Sequence, residues 1–240
     1  MMNSLVLVAA GKGTRIGGSI NKLLMEMHGH PLIWYTFKNI LDSKLLDEIV
    51  IVVKDTEKSQ FQQILSEFKH AIPIKWGQGG NTRVDSVING ISQISSKSEK
   101  LLIHDGARPL VGGDAIDQIL NKLGPAHPAV IFALPCIDTM KEINDEQVKK
   151  TVDRSKLYRA QTPQGVLTDL YKKALLQIKS LENITDDSSI FEAVKIPVTI
   201  IPGRENFFKV TTTEDWNRFS NMIYPSKIPA YIRVGEGYDI

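Results

Sequence analysis

A glycine-rich segment near the amino terminus has the residue types of an anion-binding loop. It runs from Ala9 to Gly18 directly after an apolar stretch and carries Lys12 and Arg15, with Lys22 shortly beyond. Glycines let a backbone approach a phosphate closely, and consecutive N–H groups form a nest for an anion. The segment lacks the third glycine of a dinucleotide fingerprint and the Gly-Lys-Ser/Thr of a P-loop. Three cations beside such a nest favour a triphosphate; a solvated loop is the alternative.

Two further segments place polar residues where strands should end. The apolar run Leu101–Ile103 leads into His104–Pro109, which contains Asp105. A carboxylate at a strand end is placed to hold Mg²⁺ or a ribose hydroxyl, although an ordinary turn closed by Arg108 is the alternative. The segment Gly79–Arg83 precedes a helix and can offer backbone groups and an amide to a base. Taken alone, it is a loop followed by a helix cap.

The elements that must position these residues follow from hydrophobic spacing. Apolar runs of strand length are Leu5–Ala9, Ile49–Val53, Ile72–Trp76, Leu101–His104, Ala129–Leu134 and Val198–Ile201. Helical spacing occurs around 32–40, 61–68, 84–91, 116–123, 170–178 and 216–223. The alternation predicts an α/β fold, with a Rossmann-like, mostly parallel sheet and helices on both faces. Such sheets bind ligands at the carboxyl ends of their strands.

One polar stretch, Asp138–Arg159, interrupts the alternation. Alternating residues flank Asn144-Asp145-Glu146, a pattern that predicts a protruding β-hairpin arm. An arm without a core of its own packs on something else, and a second copy of the chain is the simplest candidate. We therefore expect a homodimer formed through residues 138–159.

Composition excludes several classes of protein. The 240 residues are 42% hydrophobic and 23% charged, which is typical of a globular domain and excludes extended disorder. A net charge of 29 − 27 = +2 gives no bulk field for nucleic acid or membrane. The single cysteine, Cys136, excludes an internal disulfide framework and fits a reducing compartment. The apolar run Leu5–Ala10 is too short to span a membrane. We expect a cytoplasmic protein with neither nucleic acid nor membrane as a partner.

The ordered set of motifs resembles the nucleotidyltransferases that attach a nucleotide to a phosphorylated sugar or polyol, and most closely the 2-C-methyl-D-erythritol 4-phosphate cytidylyltransferases. The resemblance covers about residues 4–223. Its motifs are A-A-G-x-G-T-R at Ala9–Arg15, N-K-L-L at Asn21–Leu24, G-G-N-T-R-x-D-S-V at Gly79–Val87, H-D-G-A-R-P at His104–Pro109, D-T-M-K at Asp138–Lys141, T-V-D-R at Thr151–Arg154, Q-T-P-Q at Gln161–Gln164, T-D-D at Thr185–Asp187 and K-V-T at Lys209–Thr211. The two arm motifs favour methylerythritol phosphate over ribitol 5-phosphate as the substrate.

The resemblance implies a role for each matching residue. The implied catalytic residues are Arg15 and Lys22, which stabilise charge at the α-phosphate, and Arg154 and Lys209, which position the substrate phosphate. The implied nucleotide site consists of Ala9, Ala10, Gly11, Lys12, Gly13, Gly80, Asn81, Arg83, Ser86, Asp105 and Gly106. The implied substrate site adds Arg108, Thr139, Lys141 and Thr162. Asp105 is also the implied ligand of Mg²⁺, which enters with CTP.

The implied reaction transfers CMP from CTP to 2-C-methyl-D-erythritol 4-phosphate, releasing pyrophosphate, in the non-mevalonate route to isoprenoid precursors. Cytidyl transfer to another polyol phosphate, such as ribitol 5-phosphate, and a catalytically silent nucleotide-binding dimerisation module are the alternatives. Two positions depart from the family pattern, because Asn81 and Asn206 stand where relatives often carry aspartate. Asn81 can still accept from and donate to a base edge, and Asn206 lacks the negative charge that an aspartate would place near Lys209.

The last residues carry a second resemblance. Residues 224–240 begin as a proline-bounded linker, and Tyr231–Ile240 resembles the opening of 2-C-methyl-D-erythritol 2,4-cyclodiphosphate synthases. In that family an aspartate matching Asp239 binds a divalent metal together with a histidine two positions later. We therefore expect a transferase domain at 1–223, followed by the start of a synthase domain in a longer bifunctional protein.

Overall fold

The computed structural model describes residues 2–11, 20–178, 180–181 and 184–225. Its strands are β1 (Met2–Val8), β2 (Glu26–Met27), β3 (His30–Pro31), β4 (Glu48–Val53), β5 (Ile74–Gln78), β6 (Ser98–Asp105), β7 (Ala129–Pro135), β8 (Met140–Asn144), β9 (Gln147–Val152), β10 (Tyr158–Leu167) and β11 (Val198–Pro202). Its α-helices are α1 (Leu32–Ile40), α2 (Lys58–Leu65), α3 (Arg83–Ile91), α4 (Gly113–Lys122), α5 (Thr168–Gln177), α6 (Ser188–Ala193) and α7 (Thr213–Ile223).

Seven strands form one sheet in the order β11-β7-β10-β6-β1-β4-β5. Within it β10 runs antiparallel to both β6 and β7, whereas the other neighbouring pairs are parallel. The predicted mostly parallel sheet is therefore confirmed. The chain passes from β1 outward to β4 and β5, then returns to place β6 on the other side of β1. That reversal creates a topological switch point between β1 and β6, where an open α/β sheet binds its ligands.

Helices cover both faces of the sheet, as predicted. Successive residues of a strand point to opposite faces, so Leu5 and Leu7 pack in one core cluster with α1, α2, α4 and α7. Val6 packs in the other cluster with α3, α5 and α6. Both layers are apolar and fully or nearly fully buried, which stabilises the sheet between them.

The sequence pattern did not predict two elements, β10 and α6. β10 carries Gln161, Thr162 and Gln164, which are buried yet polar, so its residues lack an apolar alternation. Their side chains are instead used in hydrogen bonds, such as that from Gln161 Nε2 to the Arg204 carbonyl at 2.9 Å. Helix α6 has six residues, too few to show a helical repeat. The strand predicted at Ile72–Trp76 lies two residues later, at β5.

The predicted arm is a β-hairpin that forms its own two-stranded sheet from β8 and β9. Asp145 and Glu146 connect the strands with φ values of +45° and +68°, the left-handed pair that a tight two-residue hairpin turn requires. Ile143 and Val148 on the arm are 65% and 61% exposed. In the described part of the chain, no helix is long and apolar enough to cross a membrane.

Candidate active site

A cavity of about 700 Å³ opens at the carboxyl ends of β1, β4, β5 and β6. It therefore lies at the switch point of the sheet, where the topology predicts a ligand site. Ten of the residues predicted for the site line it, namely Ala10, Gly11, Lys22, Gly80, Asn81, Arg83, Ser86, Asp105, Gly106 and Lys209. The fold thus brings together residues from five separate stretches of the sequence.

The cavity floor is built on Asp105, at the end of β6. Its carboxylate is 9% exposed and contacts three cations. Arg83 Nε lies 3.2 Å from Oδ1, Lys209 Nζ lies 3.0 Å from Oδ2, and Arg108 Nε lies 3.6 Å from Oδ2. Lys209 thus has Asp105 as its carboxylate partner.

These contacts control the ionisation of the floor. Burial alone would raise the pKa of Asp105, but the positive charges of Lys209, Arg83 and Arg108 lower it well below its usual range. For the Arg83 guanidinium the effects have the opposite sign. Burial acts to lower its pKa, whereas the negative charges of Asp187 and Asp105 raise it above its ordinary value. The floor consequently holds an ionised carboxylate and charged guanidinium side by side at neutral pH.

A buried polar layer fixes Asp105 from behind. The Asp105 N–H donates to Thr162 Oγ1 at 3.1 Å, and Thr162 Oγ1 lies 3.0 Å from Nδ1 of His104. Because Oγ1 accepts the backbone proton, its own hydroxyl is available to donate to Nδ1. Burial lowers the pKa of His104 to about 3, so the imidazole is neutral at physiological pH.

The loop between β5 and α3 forms one wall. Thr82 and Asp85 make a capping box that starts α3, so the segment Gly79–Arg83 does contain a helix cap, as its sequence allows. The Gly80 N–H donates to Ser86 Oγ at 3.0 Å, and Ser86 Oγ donates to the Thr82 carbonyl at 3.0 Å. A Cβ on Gly80 would lie 2.2 Å from that of Asp85, so only glycine fits this turn.

Lys22 reaches the cavity from a short 3₁₀ turn. The Asn21 side chain caps this turn by accepting from the Leu23 N–H at 3.1 Å, and it also donates to the Ala9 carbonyl at 3.0 Å. The turn is thereby tied to the end of β1. Lys22 Nζ donates to the Val210 carbonyl at 2.7 Å, next to Lys209 in the chain.

Comparison with known proteins identifies the family. The family model for 2-C-methyl-D-erythritol 4-phosphate cytidylyltransferase matches residues 3–223. The chain belongs to this family. Relatives that carry the same name include those of Prochlorococcus marinus subsp. pastoris, 38% identical over 88% of this chain and 94% of the relative, and Nostoc punctiforme, 35% identical over 88% and 93%.

Solved structures of the family superpose on this chain. The 4-diphosphocytidyl-2C-methyl-D-erythritol synthase of Anaerococcus prevotii is 29% identical, with a TM-score of 0.78 over 92% of this chain and 97% of its own. The bifunctional IspDF of Campylobacter jejuni is also 29% identical, with a TM-score of 0.75 over 91% of this chain and 54% of its own. The sheet and its helices are thus those of the cytidylyltransferase family.

Several predicted residues of the cytidylyltransferase site lie away from the cavity surface. Ala9 and Thr162 are buried behind it, and Arg108 lies beneath the floor with Nη1 donating to the Phe207 carbonyl at 2.6 Å. Lys12, Gly13 and Arg15 lie outside the described residues. On the arm are Thr139, Lys141 and Arg154, and none of the three is among the residues that line the cavity in this single chain.

The arm cations contact the arm itself. Lys141 Nζ donates to Thr151 Oγ1 at 2.7 Å, and Arg154 donates to the Ile137 carbonyl. The described part of a single chain therefore gathers eight of the eleven predicted nucleotide residues together with Lys22 and Lys209, but leaves the arm's share of the substrate site apart from them.

The charged residues Lys54 and Asp187 also contribute to the site, although the sequence did not predict them there. Lys54 lines the cavity directly after β4 and pairs with Glu57 at 2.9 Å. Its position after a buried strand is the signal that could have marked it. Asp187 contacts Arg83 from the start of α6, more than a hundred residues along the chain. Only tertiary structure reveals that contact.

Proposed function

We propose that the chain transfers CMP from CTP to 2-C-methyl-D-erythritol 4-phosphate and releases pyrophosphate, a step in the non-mevalonate route to isoprenoid precursors. The observation that carries this proposal is the family match across residues 3–223. The switch-point cavity supports it, because Lys22, Asp105 and Lys209 line the same space as the nucleotide-binding loops.

The proposed reaction needs charge neutralisation more than proton transfer. An oxygen of the incoming phosphate monoester attacks the α-phosphorus of CTP, and the bond from that phosphorus to the bridging oxygen of pyrophosphate breaks. The nucleophile is already ionised, so the site needs no general base. Lys22, together with Arg15, stabilises the negative charge that develops at the α-phosphate. Lys209 and Arg154 hold the second phosphate close to the first.

Mg²⁺ is proposed to bind with the nucleotide. Magnesium in nucleotide sites usually takes one or two carboxylates and completes its shell with phosphate oxygens and water. Asp105 fits this role, because it is an ionised carboxylate at the cavity surface. In the described ranges, no group of three or more His, Cys, Asp or Glu side chains forms a cage that would bind a metal alone. The ion would supply further positive charge to the triphosphate.

The loop between β5 and α3 is proposed to recognise the base and ribose. Gly80, Asn81 and Ser86 line the cavity there, and the loop conformation is fixed by the hydrogen bonds between Gly80, Ser86 and Thr82. Asn81 offers an amide donor and an acceptor to the edge of a cytosine base. We assign Asp105 a ribose contact as well as the metal.

We propose that the protein acts as a homodimer through the arm. Its support is the exposure of Ile137, Ile143 and Val148, each of which leaves more than 60% of its surface in solvent in a single chain. Apolar surface on an arm without its own core favours burial against a partner. In such a dimer, Thr139, Lys141 and Arg154 complete the partner's substrate site. We also propose a cytoplasmic location.

We propose, on the resemblance of Tyr231–Ile240, that the transferase domain is followed by a synthase domain. These residues lie outside the described ranges, so the support is their sequence alone. Sequencing the encoding reading frame tests it: a histidine codon directly after Ile240 and about 150 further residues support the fusion. A stop codon at that point contradicts it.

Turnover with a panel of phosphorylated alcohols tests the central proposal. Pyrophosphate release is measured with CTP and either 2-C-methyl-D-erythritol 4-phosphate or ribitol 5-phosphate, and then with UTP and ATP in place of CTP. We expect the highest kcat/KM with CTP and methylerythritol phosphate. Higher kcat/KM with ribitol 5-phosphate would move the assignment to that substrate. No pyrophosphate release with any pair, despite measurable CTP binding, would indicate a silent nucleotide-binding module.

A further inference from the structure

Asp187 is a buried carboxylate with two long-range partners. Its side chain is 2% exposed and does not line the cavity. Oδ2 accepts a hydrogen bond from Arg83 Nη2 at 2.7 Å, and Oδ1 accepts one from the Tyr171 hydroxyl at 3.0 Å. Burying a carboxylate is costly unless charge and hydrogen bonds compensate, so these two contacts explain how the fold tolerates it.

Helix capping does not account for Asp187. Although it immediately precedes α6, its side chain makes no capping hydrogen bond. The neighbouring Asp186 does that work, because it accepts from the Ser189 N–H at 3.0 Å and the Ser188 hydroxyl at 3.0 Å. The contacts of Asp187 instead run across the structure to α3 and α5.

Arg83 links Asp187 to the cavity floor. Its Nη2 contacts Asp187 and its Nε contacts Asp105, so one planar guanidinium bridges two carboxylates. Two anchored nitrogens fix the orientation of the plane, and with it the direction of the third. That third nitrogen, Nη1, is buried and has no hydrogen-bond partner among the described residues, although Arg83 lines the cavity.

We propose that Asp187 is a positioning residue for the nucleotide site, with Tyr171 orienting its carboxylate. It holds Arg83 against Asp105, so that the floor is ordered before the nucleotide enters. This inference rests on the proposed function for the identity of the nucleotide. The residue acts through Arg83 alone, and this dependence separates the proposal from a general contribution to stability.

The consequence is a defect in binding more than in chemistry. The uncharged side chain introduced by Asp187→Asn would keep the shape but lose the ion pair with Arg83, leaving at most a hydrogen bond assisted by the guanidinium charge alone. Arg83 would then be held by one carboxylate, that of Asp105. Its side chain would become ordered only when the nucleotide binds, and the entropy lost in that step would weaken binding. We expect Asp187→Asn to weaken CTP binding about tenfold, with a smaller change in kcat.

The experiment is a double-mutant cycle read by calorimetry with CTP and Mg²⁺. The dissociation constant is measured for the wild-type chain, Asp187→Asn, Arg83→Gln and the double variant. Asp186→Asn is the matched control, because it alters the adjacent carboxylate without touching Arg83. In the Arg83→Gln background we expect Asp187→Asn to change the constant by less than about twofold, since the residue through which it acts is gone.

Tyr171→Phe keeps the test valid if Asp187→Asn does not fold. It removes the second hydrogen bond to Asp187, and we expect CTP to bind about threefold more weakly, an effect that disappears in the Arg83→Gln background. Equal effects in both backgrounds, or an equal effect of Asp186→Asn, would overturn the positioning role. A wild-type chain that binds CTP without turnover would contradict the proposed function alone. Failure to bind CTP would overturn both.

Discussion

The cavity floor and the arm both carry charged residues, but they are built in opposite ways. At the floor, Asp105 is almost completely buried and contacts cations from three separate parts of the chain. On the arm, Glu142 pairs with Lys149 and Lys150 of the same hairpin, and these side chains are well exposed. Ion pairs in solvent contribute little, whereas those at a buried site respond strongly to the loss of a partner.

This difference separates two ways of completing a site. The floor makes its polar contacts within one chain, so its geometry is set when the sheet folds. The arm leaves apolar side chains such as Ile143 exposed and does not reach the cavity lining of the described chain. The proposed dimer accounts for both observations on the arm. Variants can therefore test the two regions separately.

Removing the Lys22 cation should produce the largest effect. We expect Lys22→Ala to lower kcat by about 10²–10⁴, because one preorganised charge at the transition state is lost. The affinity for CTP should fall much less. Steady-state kinetics and CTP calorimetry measure the two separately. Lys97→Ala, at an exposed lysine outside the cavity, is the control, and a near-normal kcat for Lys22→Ala would remove that lysine from the catalytic assignment.

Mixing two inactive variants tests whether the arm serves the other subunit. Lys22→Ala and Arg154→Ala should each be strongly impaired alone. In a hybrid dimer with sites shared across the interface, one site carries both substitutions and the other carries neither. Random exchange then restores up to about a quarter of wild-type activity, since half of the dimers are hybrids with one intact site.

Subunit exchange must be shown independently in that mixture, for example by mass spectrometry of differently tagged chains. Wild-type protein mixed with either variant is the reference, because it shows how subunit exchange alone changes the activity. If hybrids form and activity does not return, each site draws Lys22 and Arg154 from the same chain. The arm would then be a structural element of its own subunit.

The elements that the sequence could predict are those with a regular apolar pattern. The parallel strands and the long helices were predictable, because buried strands are continuous apolar runs and amphipathic helices repeat every three to four residues. The hairpin was predictable from alternation around a turn. β10 was not, since Gln161 and Gln164 are buried by virtue of hydrogen bonds that only the folded chain supplies.

The candidate site shows a similar limit. Residues at the carboxyl ends of strands, such as Asp105, could be assigned because a parallel sheet gathers these ends at one edge. Asp187 could not be linked to Arg83, because no periodicity relates two residues that meet across α3, α5 and α6. Sequence motifs also do not reveal whether Arg154 serves its own cavity or another, since that depends on the assembly.

Acid should destabilise the floor through His104. Its folded-state pKa of about 3 lies below its ordinary value of 6.5, so the unfolded chain binds more protons between these values. This contribution to stability is complete above pH 6.5 and is lost as the pH falls toward 3. We expect a loss of about 2 kcal/mol between pH 6.5 and 4.5.

Urea unfolding at several pH values, with EDTA present and the protein concentration fixed, measures this loss. His104→Asn keeps a polar atom toward Thr162 but cannot titrate. Its free energy of unfolding should therefore vary less over the same pH range, although it should be lower than that of the wild type at neutral pH. His28→Gln, which replaces an exposed histidine away from the floor, is the control substitution. Parallel curves for wild type and His104→Asn would place the acid sensitivity elsewhere, for instance in the arm.

The smallest effect is expected at the cavity rim, where Asn81 is exposed although it lines the same cavity as the buried Asp105. An aspartate there keeps one acceptor, loses the amide donor and adds a charge that solvent screens. Exposed charge interactions contribute up to about 1 kcal/mol, so Asn81→Asp should change the KM for CTP by less than about fivefold. Ser86→Ala is the buried comparison: it leaves the Gly80 N–H without its acceptor, which costs about 1–3 kcal/mol and should raise the KM for CTP about fivefold or more. Kinetics with CTP and UTP rank the two variants. A larger effect from Asn81→Asp would show that direct contacts at the rim, and not the buried scaffold behind them, set nucleotide affinity.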